Sequence, residues 1–202
     1  MLPLFSLQDL LLRLVAVLLI LTLKGFVQAW VAARMGDPGP QQDGRLALNP
    51  AQQISFLGLV GFLFFSLGWV KPMKLALERL GSKGLWVVAG AGPLACVALA
   101  LLAVLLRPLA ANTFSSGDVG FTLVVLLNTV IELSLWCAAL NLLPVFPLDG
   151  FTVLSAYWRK GWDWAQSNLL YFEIGLLVLG LFKLLTTALG PLHQLLKRLI
   201  GA

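Results

Sequence analysis

Long apolar runs constrain the fold of this chain more than any other feature of its sequence. Four segments, at about 10–33, 85–106, 120–143 and 168–190, each approach or exceed the ~20 apolar residues that cross a bilayer's hydrocarbon core. With 59% hydrophobic and only 11% charged residues, a soluble fold of 202 residues could not shield its apolar surface from water. The sequence therefore predicts an α-helical polytopic membrane protein, with residues 1–202 forming a single membrane domain.

A shorter apolar segment, at about 54–70, lies within the long loop 34–84 and is interrupted by three glycines. Such a segment is either a short crossing or a re-entrant piece sheltered by protein. Around it, GRLALNP (44–50) and LGWVKPMKL (67–75) are candidates for short strands, the second with a proline better suited to an edge. The tail, 191–202, has the leucine spacing of a short amphipathic helix lying at the membrane interface.

The basic residues predict how the chain is oriented. If 54–70 does not cross, the loops 34–84 and 144–167 share one side, which then carries eight basic residues against about four on the other. The eight are Arg34, Arg45, Lys71, Lys74, Arg79, Lys83, Arg159 and Lys160. Because cytoplasmic loops carry the excess of Lys and Arg, we expect both loops on the cytoplasmic side of a bacterial cytoplasmic membrane. If 54–70 does cross, the counts become nearly even and give no orientation.

The formal net charge of +5 does not indicate a nucleic-acid-binding protein. The 14 basic residues are scattered between apolar segments, as in a membrane protein whose loops orient it, so the expected partner is the lipid bilayer. Cys96 and Cys137 lie in separate apolar runs, where packing as small hydrophobic residues is the simpler interpretation than a disulfide.

Polar residues inside the predicted spans are the first functional candidates. In LTLKGFVQAWVAARMGD, Lys24 and Gln28 are four residues apart and lie on one face of a helix, deep in an apolar run. Polar groups at such depth are costly and by default indicate a functional site. Glu132 and Glu173 are also candidates, although packing against Lys183 or an interfacial location explains them equally well.

Five segments, in chain order, carry a resemblance: LKGFVQAWVAARMGD, GRLALNP, GWVKPMKL, AGAGPLACVALA and NLLPVFPLDGFTVL. Together they resemble the motifs of the site-2 protease family of intramembrane zinc metalloproteases. The first is similar to the family's catalytic helix, which carries His-Glu-x-x-His, and the last to the Asn-x-x-Pro…Leu-Asp-Gly segment that supplies the third metal ligand. The resemblance covers about residues 10–155 and implies a site-2 protease-like membrane core.

The departures from the family pattern fall on the catalytic positions. Lys24 stands where the first histidine ligand belongs, Gly25 at the general-base position, and Gln28 at the second histidine. Cys96 replaces a usual asparagine, and only Asp149 remains of the four chemical positions. A catalytic zinc needs about three protein ligands, and an ammonium has no lone pair to offer it.

These departures predict a pseudoprotease without a catalytic residue or bound zinc. The resemblance further implies a groove for a transmembrane client helix or partner segment, with Asn141 and Pro144 in the region that holds it. One alternative is an active zinc metalloprotease with an atypical ligand set, such as Asp149 with His193 or a partner's residues. Another is a small transporter or channel component that uses Glu132 or Lys24.

Without a metal, Asp149 would be a buried and isolated carboxylate, which is costly. We therefore expect the Lys24 ammonium to replace the metal cation and pair with Asp149, with the Gln28 amide in the same structural clasp. Two simpler interpretations remain open. Lys24 and Gln28 could snorkel or line a wet crevice without a partner, and Asp149 could serve only as a turn residue in PLDG.

Overall fold

The computed structural model describes residues 6–113 and 118–202 and contains ten helices within those ranges. They are α1 Leu7–Arg34, α2 Gly39–Gln42, α3 Pro50–Gln53, α4 Phe56–Phe65, α5 Leu77–Thr113, α6 Asp118–Asn141, α7 Asp149–Ser155, α8 Arg159–Ser167, α9 Leu169–Leu181 and α10 Leu184–Leu199. Three of them, α1, α5 and α6, are long and apolar enough to cross a membrane, and α8 with α9 makes a fourth candidate bent by 81°. The predicted α-helical polytopic membrane class is confirmed.

The core lies where α1, α5 and α6 pack against one another. Small and branched apolar side chains from all three helices are buried there, among them Ala16 and Ile20 of α1, Ala100 of α5, and Leu135 and Ala138 of α6. Small residues allow the backbones of membrane helices to approach closely. The three helices correspond to the predicted spans 10–33, 85–106 and 120–143.

The segment 54–70 turns back on itself. Its helix α4 has ten residues and is therefore only about 15 Å long, half of a hydrocarbon core of ~30 Å. The chain reverses at Ser66, whose φ of 62° is left-handed. An antiparallel bridge then joins Ile54 to Val70, and the backbone N–H of Lys71 donates to the Gln53 carbonyl at 2.8 Å. Because its two ends pair with each other, the segment begins and ends at the same height along the helical core, as expected of a re-entrant piece.

The two predicted strands are not present in the part of the chain that the structure describes. Residues 44–50 begin at a left-handed glycine, Gly44, and end at Pro50, which starts α3. Residues 67–75 are extended but pair only through the bridge at Val70. Both predictions were wrong because turn residues at the ends of the first segment and Pro72 in the second limit the ladder that a strand needs.

The predicted span 168–190 is not one helix. It divides into α9 and α10 at Lys183, whose φ of 58° is left-handed. The predicted tail helix 191–202 is likewise not separate, because Pro191 lies inside α10. Helix α10 packs against α6, which gives its polar face a partner, Glu132, that the sequence pattern did not reveal.

Candidate functional site

The three polar residues that the sequence grouped together meet in the structure. Lys24 and Gln28 lie on successive turns of α1, and Asp149 is the first residue of α7. The Lys24 ammonium donates to Asp149 Oδ1 at 3.0 Å and lies 2.9 Å from its Oδ2. It also donates to Gln28 Oε1 at 3.2 Å. All three side chains are buried, with 1%, 3% and 5% of their respective residue surfaces exposed.

Gln28 links this cluster to α5. Its amide nitrogen lies 3.4 Å from the Val88 carbonyl, to which it donates. The cluster therefore ties α1 to α7 through a charge-assisted hydrogen bond from Lys24, the stronger class of such bonds, and ties α1 to α5 through the neutral bond from Gln28.

Two glycines let the backbone approach the cluster. A Cβ on Gly92 of α5 would lie 2.3 Å from Asp149 Oδ2 and 2.9 Å from the Gln28 amide carbon. A Cβ on Gly150 would lie 2.5 Å from the carbonyl oxygens of Leu142 and Leu143, at the end of α6. Any larger residue would have to push these groups away. Sequence reasoning did not identify Gly92, although its place before Pro93 in the AGAGP segment is a signal of close helix packing.

Gly25, at the general-base position, faces a side chain that the sequence analysis did not anticipate. A Cβ there would lie 2.5 Å from Gln53 Oε1 and 3.1 Å from Gln53 Cβ. Gln53 is fully buried, and its amide nitrogen donates to the carbonyls of Arg45 at 2.8 Å and Ala47 at 3.2 Å. The space next to Gly25 is thus filled from α3.

The two cysteines lie beside this cluster. The Cys96 and Cys137 thiols are buried and form no disulfide, and both residues belong to the apolar core in which α5 packs on α6. This agrees with the expectation of packed thiols.

Asn141 and Pro144, the predicted partner-binding residues, lie at the end of α6. Asn141 is buried, and its amide nitrogen donates to the Cys137 carbonyl at 2.8 Å and lies 3.5 Å from the Gly68 carbonyl. Its Oδ1 has no hydrogen-bond partner among the described residues. Pro144 is exposed in the turn that follows. Their role in binding a partner stays a prediction.

The two other acids that the sequence analysis considered have partners elsewhere. Glu173 accepts hydrogen bonds from Ser55 Oγ at 2.5 Å and from Trp69 Nε1 at 2.8 Å, and so fixes both ends of the re-entrant segment to α9. Glu132 pairs with Lys197, not with Lys183 as the sequence analysis had considered, and it also contacts a histidine.

That histidine, His193, lies 3.2 Å from Glu132 Oε2 and stacks on Trp136 with a ring separation of 4.2 Å. It therefore belongs to the contact between α10 and α6. Within residues 6–113 and 118–202, no group of three or more His, Cys, Asp or Glu side chains could hold a metal ion.

The three residues that the resemblance puts at ligand positions, Lys24, Gln28 and Asp149, do not fit zinc. Zinc in proteins takes thiolate, imidazole and carboxylate ligands, usually four in all. Here one carboxylate is already hydrogen-bonded to an ammonium, and the third group is an amide. A metal ion placed beside Asp149 would meet the positive charge of Lys24 at about the distance of a hydrogen bond.

Comparison with known proteins gives one relative. No family model matches the chain, and no solved structure matches it significantly. The chain is 30% identical over 143 residues to "Putative zinc metalloprotease YwhC" of Bacillus subtilis (strain 168). The match covers 66% of this chain and 63% of the Bacillus protein, so it spans less than two thirds of that relative. This similarity supports a relationship of the site-2 protease type.

Proposed function

We propose that this chain is a non-catalytic, site-2 protease-like membrane protein that binds a transmembrane client or partner segment. The observation that carries the proposal is the Lys24–Asp149 ion pair, with its 2.9 Å contact at the place where the resemblance puts a metal. The pair supplies the cation that a buried carboxylate needs, so Asp149 does not require zinc to balance its charge.

The groups around the pair also disfavour hydrolysis. Gly25 has no carboxylate to accept a proton from water, a role worth roughly 10²–10⁴ in rate. Gln53 fills the adjoining space, so a catalytic water would have to displace it. The site thus lacks zinc ligands on α1, a general base, and room for a catalytic water. A protein that uses this scaffold only for binding would have these features.

A groove between α1 and α5 supports the binding part of the proposal. Its volume is about 570 Å³, and it is lined by Leu23, Val27, Val31, Val87, Ala91, Leu94, Ala95, Ala98, Leu99 and Leu102. All side chains that line this α1–α5 groove are apolar, and its alanines permit close approach of another helix. It follows the turns of α1 that carry Lys24 and Gln28, so a bound segment would lie alongside the clasp.

Metal analysis tests the non-catalytic part. We expect purified protein to contain far less than one zinc per chain and to leave transmembrane substrates uncut. The alternative, a zinc metalloprotease with an atypical ligand set, is favoured by the name of the Bacillus relative. About one zinc per chain, together with cleavage that Asp149→Ala abolishes, would establish that alternative.

Site-specific photocrosslinking tests the binding part. A photoreactive residue at Leu94, in the groove, is expected to crosslink to a membrane-spanning peptide of another protein, as mapped by mass spectrometry. The matched control is Leu105, which lies on the same helix, is 65% exposed and is not in the groove. Ala95→Trp should fill the groove and remove the adduct. Equal crosslinking at both positions, or no effect of Ala95→Trp, would contradict the proposal.

A further inference from the structure

A polar pocket of about 310 Å³ lies on the loop face of the molecule, outside the membrane-spanning helices. It is lined by Asp43, Arg45, Gln52, Lys71, Pro72 and Lys74. Three of these side chains are positively charged and one is negatively charged, so the pocket has a net positive charge. Lys71, Lys74 and Gln52 are exposed at its edge.

Arg45 is the unusual member of this pocket. Only 3% of it is exposed, and burial lowers its pKa to about 10, which leaves it charged at neutral pH. Its Nη2 donates to the Lys71 carbonyl at 2.7 Å and lies 3.3 Å from the Pro72 carbonyl. Its Nη1 is buried and has no hydrogen-bond partner in the described part of the chain. A buried donor of a charged group left without an acceptor is costly.

The surroundings hold this guanidinium in place. The Arg45 carbonyl accepts from Gln53 Nε2 at 2.8 Å, and the Gln53 carbonyl accepts from the Lys71 N–H at 2.8 Å. The arginine and the segment that begins at Lys71 are thus fixed to each other through one glutamine. The planar donor fork of Arg is pre-organised, while the two lysines are mobile point charges.

We propose that this pocket binds a phosphate group. An arginine fork flanked by lysines matches the geometry and charge of phosphate oxygens, and such an oxygen would provide an acceptor for Arg45 Nη1. The same group occurs in anionic lipid headgroups and in free phosphate. Leu46, Leu48 and Phe56 of the neighbouring chain segment are exposed, so this part of the protein offers apolar side chains to the acyl chains of a lipid source.

Loop lysines that merely orient the protein would explain the exposed charges. They would not explain why the same pocket is lined by an arginine that is buried and has an unused donor. The experiment therefore has to separate binding at this pocket from attraction to a generally positive loop.

Binding is measured on the full chain in detergent. Native mass spectrometry titrates phosphatidylglycerol, with phosphatidylcholine as the zwitterionic control, and calorimetry titrates inorganic phosphate. The test variant is Lys71→Gln/Lys74→Gln. Its matched control is Arg79→Gln/Lys83→Gln, which removes the same charge from exposed positions at the start of α5, outside the pocket.

If phosphatidylglycerol binds saturably, its affinity should fall about tenfold or more in the Lys71/Lys74 variant and little in the control. This result would support the proposal with a lipid as the source of the phosphate group. The same pattern with inorganic phosphate alone would support it with a soluble source. Asp43→Asn should strengthen the binding of either probe, because it removes the one negative charge among the side chains that line the pocket. Absence of saturable binding of both probes, or equal weakening in the two double variants, would overturn it. Arg45→Gln provides a further variant where it folds.

Discussion

Gln53 and Gly25 are complementary: the glutamine side chain occupies the space that any side chain at position 25 would need. The distance from a Cβ on Gly25 to Gln53 Oε1 would be 2.5 Å, well below van der Waals contact. Two residues 28 positions apart are therefore matched in volume. This pairing, and not the glycine alone, determines what can be placed at position 25.

The volume match predicts that Gly25→Ala is destabilising, by about 1–3 kcal/mol for overpacking. In the Gln53→Ala background the same change should cost much less. Unfolding free energies of the four proteins in the double-mutant cycle measure the coupling. The control is Gly90→Ala, since a Cβ there meets no atom within 4 Å. If Gly25→Ala proves as harmless as Gly90→Ala, the volume match is wrong.

The ion pair predicts a large cost for removing one partner. Asp149→Asn keeps the shape but leaves the Lys24 ammonium buried beside a neutral amide, and breaking a buried pair in this way costs about 3–5 kcal/mol. Lys24→Met combined with Asp149→Asn should recover most of that loss. Thermal or chemical unfolding in detergent is the measurement.

The matched control for this prediction is the Arg159–Glu78 pair, whose N–O distance is 3.2 Å but whose side chains are 57% and 87% exposed. Glu78→Gln should cost no more than about 1 kcal/mol, because solvent screens an exposed pair. Equal losses in Asp149→Asn and Glu78→Gln would show that the buried pair is not a clasp.

The sequence predicted the long helices and the Lys24–Gln28–Asp149 grouping for different reasons. In a bilayer, the backbone N–H and C=O groups of a long apolar run must form hydrogen bonds within the run, as they do in a helix. The helices α1, α5 and α6 therefore follow from composition and length. The grouping came from the family resemblance, which puts Lys24 and Gln28 at two ligand positions and Asp149 at the third. The spacing of Lys24 and Gln28 alone predicts a shared helix face but no partner.

What the sequence did not predict depends on contacts between distant segments. The break between α9 and α10 occurs at Lys183, which has a left-handed φ. Since the residue is not a glycine, the sequence does not mark this position as a break. The role of Gln53 depends on how α3 packs against α1, and the pairing of Glu132 with α10 depends on the direction in which α10 returns. None of these follows from local periodicity, because each is decided by tertiary packing.

Introducing zinc-binding side chains into α1 should not by itself create a metal site. The triple variant Lys24→His, Gly25→Glu, Gln28→His supplies two imidazoles beside Asp149, but its glutamate must enter the space filled by Gln53. We expect low zinc content in the triple variant and higher content once Gln53→Ala is added. Zinc per chain, measured on purified folded protein, decides this. Full occupancy in the triple variant would mean that Gln53 moves aside freely.

The pairing of Glu132 with α10 predicts a local effect. Glu132→Gln removes the carboxylate that faces both Lys197 and His193, so only the aromatic stacking of His193 on Trp136 and apolar contacts would still hold α10 to α6. Amide hydrogen exchange should become faster along α10, while α1 and α5 keep their protection. The control, Arg198→Gln, neutralises an exposed charge on α10 and should leave exchange unchanged. Faster exchange throughout the core, or none along α10, would contradict a docking role for Glu132.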